Sequence, residues 1–101
     1  MSIKTQLSND QSTYIIQISG MFDFTMLNAF RQAYDNSNER GKKYVIDMRD
    51  VMTIDSSALG MLLNMKRTLN CDDKAIKIIN CNQFVKKIFQ ITHFEKKFSI
   101  E

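Results

Sequence analysis

The sequence holds no proline, three glycines, two cysteines and one histidine in 101 residues, and each scarcity removes a class of function. Without proline and with so little glycine there is neither a long irregular linker nor a glycine-rich loop to wrap backbone amides around a phosphate. Cys71 and Cys81 have nine residues between them, which fits neither a C-x-x-C redox pair nor a zinc set, and both read as free thiols. The single imidazole, His93, falls where the last helix should end, and a histidine there serves as a cap that tolerates positive φ. No Walker loop, G-x-G-x-x-G or G-x-S-x-G elbow occurs. Asp47, Asp50 and Asp55 are close in sequence, but Asp47 reads as strand and Asp50 as the loop beyond it, without phosphate-cradling glycines. The expectation is a protein without enzymatic activity, metal or cofactor. The N-terminus has no apolar run behind Lys4, so neither signal peptide nor membrane span is expected, and the cytoplasm is the expected compartment.

What is present is ordinary for a folded domain: 44% hydrophobic and 25% charged residues. One domain over residues 1–101 is expected, with a core large enough to fold alone and too small for a deep enclosed cavity. The net charge of +3, from 14 basic and 11 acidic residues, is a small excess. The lysines toward the C-terminus are scattered without interleaved aromatics, so they read as a solvated face and imply no nucleic acid.

Residues 3–7 alternate apolar and polar, 8–12 carry turn residues, and 13–18 are rich in β-formers, which predicts an opening hairpin closed by Gly20. From Thr25, Leu27, Phe30 and Tyr34 have helical spacing, giving a first helix to about Asn36 with Asp23 and Thr25 as entry caps. A polar connection over 37–43 leads to a strand over 44–48, suited to a centre covered on both faces. A second helix follows Asp55, with Leu59, Leu62, Leu63, Lys66 and Leu69 as its inner stripe and Asn70 as its end. A strand over 75–79, a third helix capped by Asn82, and an optional last strand over 96–100 complete the order ββαβαβα with a terminal β. That order is an α/β layer fold with a small mixed sheet, parallel across its right-handed crossovers, and helices packed on it.

The distinctive stretch is Tyr44-Val45-Ile46-Asp47-Met48, then Ile54-Asp55-Ser56-Ser57-Ala58-Leu59-Gly60. It reads as strand, loop and helix start. Taken alone, Asp-Ser-Ser at a helix start is explained by capping, because these side chains satisfy unpaired amides. The longer pattern resembles the phosphorylation-site signature of the STAS family (sulfate transporter and anti-sigma factor antagonist): hydrophobic strand, then Phe/Ile-Asp-Ser-Ser-Gly-Leu-Gly. Ser19-Gly20-Met21-Phe22-Asp23 resembles the family's Gly-x-Leu/Phe-Asp, and residues 85–92 resemble its third helix. Ala58 departs from the usual Gly, and His93 from the Gly that commonly ends helix three.

The resemblance implies a STAS-type fold and a phospho-regulated partner-switching protein of the anti-sigma factor antagonist kind. Ser56 would accept the phosphate, with Ser57 beside it as the alternative. Its unphosphorylated form would bind a serine-kinase or anti-sigma-type regulator, and a metal-dependent serine/threonine phosphatase would restore it. Asp23, Asp55, Ser57 and Ala58 would lie at the partner contact, with no direct role for nucleic acid or membrane and a monomeric or weakly dimeric chain. Met61 and Met65, four apart and well around the helix from the leucines, fit either an exposed methionine docking face or a broadly buried helix. A STAS regulatory subunit of a transporter, or a small-ligand-binding STAS module, is the alternative reading and needs no phosphoacceptor.

Overall fold

The computed structural model describes residues 2–10, 12–35 and 43–101. Strands β1 (Ser2–Leu7) and β2 (Thr13–Phe22) form the opening antiparallel hairpin. Its turn is tied by Asp10, whose carboxylate accepts from the Ser8 and Ser12 hydroxyls and from the Ser12 amide at 3.0 Å. Those donors favour the anion and hold the Asp10 carboxyl down at about 2, with the Ser8 hydroxyl the largest influence.

After β2 come a 3-10 turn (Phe24–Met26) and α1 (Leu27–Asp35), then β3 (Lys43–Ile54), α2 (Ser56–Thr68), β4 (Ile76–Ile79), α3 (Gln83–Ile91), a second 3-10 turn (Phe94–Lys96) and β5 (Ser99–Ile100). The sheet order is β1-β2-β3-β4-β5, parallel from β2 onward. Because each right-handed crossover advances one strand the same way, all three helices fall on one face. Burial follows that geometry. Tyr14, Ile16, Ile18, Tyr44, Ile46, Met48, Ile76 and Ile78 are buried, whereas alternate positions such as Ile15, Gln17, Val45 and Asp47 are only half-buried. The expectation of a central strand covered on both faces is therefore corrected to one covered face.

Aromatic contacts weld the helices to the sheet. Phe30 meets Phe22 and Tyr34 at 5.2 and 5.5 Å, the Tyr14 hydroxyl donates to the Ala33 carbonyl at 2.8 Å, and Phe89, Phe94 and Phe98 stack in series. Residues whose side chains tolerate αL end the later helices: Asn70 after α2 (φ 53°) and His93 after α3 (φ 60°).

Three boundaries differ from the sequence-based expectation. Helix one begins as a 3-10 turn, because the Asp23 carboxylate ties down the Thr25 amide at 3.0 Å; Asn36 and the connection over 37–42 lie outside the described residues. Gly20 does not close β2 but lies within it at φ 94°, a conformation that other residues adopt only with strain. Finally, β3 runs on through Asp50 to Ile54, so Asp50 lies in the strand. The extension pairs with β2 only because β3 twice carries one more residue than its neighbour, between the Gln17–Asp47 and Ser19–Asp50 pairs and again between Gly20–Val51 and Met21–Thr53.

Candidate functional site

Parallel strands all deliver their following loops to one edge of the sheet, and the sequence-predicted residues gather there. β3 ends at Ile54, Asp55 leaves the strand with extended backbone (φ −122°), and its carboxylate accepts from the Ala58 amide at 3.0 Å. Ser56 is thus the first residue of α2. The fold uses Asp55 as the cap and leaves the Ser56 hydroxyl exposed, while Ser57 is half-buried. Phe22 pairs in register with Ile54, so Asp23 and Asp55 leave neighbouring strands whose axes are about 4.8 Å apart. Among the described residues, neither carboxylate has a cation within ion-pair distance.

The interior of α2 overturns one expectation. Met61 and Met65 are 6% and 0% exposed, so they are core and no exposed methionine face exists on this helix. Ala58 is likewise buried, which removes it as a contact residue and explains why a Cβ at this position suits the fold. The expected leucine stripe is rotated: Ala58, Met61, Leu62 and Met65 face the sheet, Leu59 and Leu69 are half-buried, and Leu63 is exposed. Apolar residues nearly encircle this helix, so its rotation is set by the fit to the sheet rather than by periodicity.

The sequence reading assigned no place at this edge to four residues. Met52 is the extra residue of the second β3 bulge, unopposed by β2 and 73% exposed. Across from it on β2, Met21 is exposed, as is Phe24 in the 3-10 turn after Asp23. Asn82 caps α3 through the Val85 amide (2.8 Å), and its side-chain amide donates to the carbonyls of Val51 and Met52 at 3.2 and 3.1 Å. One side chain therefore braces the bulge and sets the first turn of α3, with exposed Phe84, against it. The signal available in the sequence was Asn82 itself, read only as a cap. Asn82→Ala removes the cap and two bonds to carbonyls, and is expected to lower stability by about 2 kcal/mol in urea titration; Asn82→Asp keeps the cap but loses the donor, and should recover only part of that loss.

The aspartates do not converge. Asp47 accepts from the Arg49 amide and the Asn80 side chain, and Asp50 lies 3.3 Å from the Gln17 amide nitrogen, which donates to it. Among the described residues no three His, Cys, Asp or Glu side chains are placed to hold a metal. His93 lies beyond the far end of α3, whose nine residues span about 13.5 Å, so it is remote from Ser56. Cys71 and Cys81 are free thiols; burial raises both, Cys81 to about 11, which keeps them protonated and poorly nucleophilic at neutral pH. No helix among the described residues is long and apolar enough to cross a membrane.

Comparison with known proteins agrees with this geometry. The STAS domain matches residues 4–101. The chain is 39% identical over 100 residues to a STAS-domain containing protein of Pseudomonas aeruginosa (strain UCBPP-PA14), covering 99% of each. Its fold is similar to an anti-sigma factor antagonist from Mycobacterium paratuberculosis (TM-score 0.77, 19% identity, 98% of this chain and 85% of that one). It is also similar to the anti-sigma factor antagonist SpoIIAA in its unphosphorylated form (TM-score 0.68, 16% identity, 99% and 87%) and to the Bacillus protein SpoIIAA in its phosphorylated form (0.63, 16%, 99% and 91%).

Proposed function

This chain belongs to the STAS domain family, and we propose that it acts there as a partner-switching protein of the anti-sigma factor antagonist type. In this reading residues 1–101 work as one cytoplasmic, non-enzymatic domain. Its unphosphorylated form binds a serine-kinase or anti-sigma-type regulator, phosphorylation of Ser56 releases it, and a metal-dependent serine/threonine phosphatase resets it.

The observation that carries the reading is the exposed Ser56 hydroxyl on the first residue of α2, beside a cap already supplied by Asp55. Capping alone would explain Asp55; it does not require Ser56. Ser57 is the poorer acceptor because it is half-buried. A phosphate at Ser56 adds about −1.5 to −2 charges at the positive end of the helix, where unpaired amides favour an anion, so the fold tolerates the modification. The new charge falls beside Asp23 and Asp55, and a partner shaped for a neutral hydroxyl then meets a concentrated negative site. The likeness in fold to SpoIIAA, solved in unphosphorylated and phosphorylated forms, supports the same reading.

Peptide mass spectrometry of the protein purified from the organism that encodes it tests the proposal. A single phosphate on the peptide holding Ser56, removed by a metal-dependent phosphatase, is the expected result. A chain unmodified under every growth condition, or modified elsewhere, would overturn it.

A further inference from the structure

The lysines toward the C-terminus are scattered in sequence, yet the fold gathers two of them with an arginine at the end of α2 opposite Ser56. An open recess of about 310 Å³ is lined there by Leu63, Lys66, Arg67, Asn70, Cys71 and Lys97. Two backbone features build it. The chain leaves α2 through Asn70 in αL (φ 53°), and the Lys74 amide then donates to the Lys97 carbonyl at 2.8 Å, pinning the turn after α2 to the segment before β5. Two of the cations are held by neighbours. The Lys66 side chain is 16% exposed with its ammonium 2.8 Å from the Asp73 carboxylate, and the Arg67 guanidinium donates to the Asn64 side-chain oxygen at 2.7 Å.

We propose that this recess binds a small phosphate monoester, with the phosphoryl group between Lys66, Arg67 and Lys97 and the apolar body against Leu63 and Cys71. Among the described residues Arg67 and Lys97 have no carboxylate within ion-pair distance, and only Asp73 pairs with Lys66. The recess therefore carries a net positive charge. That charge, Lys66 foremost, also holds the Asp73 carboxyl below its usual range. Burial keeps the Cys71 thiol protonated, so it adds no anion to the site. A helix C-terminus by itself disfavours anions. Here the Met65, Lys66 and Arg67 carbonyls already accept from the Leu69, Cys71 and Asn70 amides at 2.9, 3.0 and 3.1 Å, and three cations outweigh what remains of the dipole. An arginine fork flanked by ammonium groups matches the several acceptor oxygens of a phosphoryl dianion. The apolar wall favours an organic ester over the free ion. Ser56 lies about 20 Å away along the 13 residues of α2, so the site is independent of the phosphoswitch reading.

The test titrates the nitrogen-15-labelled full chain with phenyl phosphate at neutral pH and fixed ionic strength, following the backbone amide resonances. Saturable shifts confined to Asn70, Cys71, Lys97 and their neighbours are expected, with a Kd of about 1 mM or below. Arg67→Gln and Lys97→Gln, both at exposed positions, are each expected to weaken binding about 10-fold without changing the melting temperature. Lys87→Gln, at an exposed position of α3 outside the recess, should leave it unchanged. Absence of saturable shifts, shifts spread over the exposed lysines at large, or an equal loss in the Lys87 variant would overturn the proposal. So would tighter binding of phthalate, which would make the ligand a dicarboxylate, or of a phosphoserine tripeptide, which would make it a modified protein. Should Arg67→Gln melt early, Lys97→Gln decides. Absence of phosphate on Ser56 bears only on the switch.

Discussion

Met61→Glu is expected to unfold this protein. The side chain is 6% exposed within a cluster that includes Ala58, Leu62 and Met65, and no cation reaches that cluster among the ion pairs of the described residues. A carboxylate there either ionises unpaired in an apolar site or takes up a proton, and both routes cost several kcal/mol. Domains of this size hold only about 5–15 kcal/mol of stability in total. Met61→Leu keeps volume and character, and should cost less than about 1.5 kcal/mol. Urea titration followed by circular dichroism separates the two outcomes. A Met61→Glu protein within about 1 kcal/mol of wild type would show that α2 turns this face outward after all.

The second large effect falls on binding. Under the proposed switch, Ser56→Asp is expected to weaken association with the regulator about 100-fold or more, because a fixed negative charge would be set against a surface matched to a hydroxyl and mismatched charges cost several kcal/mol. Ser56→Ala loses one hydroxyl and should stay within about 10-fold of wild type. Titration calorimetry against a regulator identified by co-purification measures both. The melting temperature provides the control: aspartate in the first turn complements the helix dipole by about 0.3–1 kcal/mol, so Ser56→Asp should melt at or slightly above wild type. Loss of binding without loss of stability places the effect at the docking surface. Equal affinities for the two variants would remove Ser56 from the switch.

Much of the site is legible in sequence because the interactions that build it are local. Asp55 capping Ala58, Asn82 capping Val85, and Asn70 and His93 in αL all act within a few residues, and the residue type states the geometry. The Ser56 position follows from the same rule. What stayed hidden depends on partners distant in the chain. Asn82 reads as a cap, but its grip on the Val51 and Met52 carbonyls needs β3 and the start of α3 to be neighbours. Met52 sits in a run that alternates no better than its surroundings, and only the register against β2 makes it the unopposed residue.

The methionines draw the same boundary. By itself, the sequence determined the order of elements and the ends of the later helices, since hydrophobic period and capping chemistry are properties of short segments. Tertiary structure alone decided that Met61 and Met65 are core while Met21 and Met52 are surface. A helix with apolar residues on most sides has no rotation of its own, and a bulged strand has no register of its own; packing against the sheet supplies the first and pairing with β2 the second.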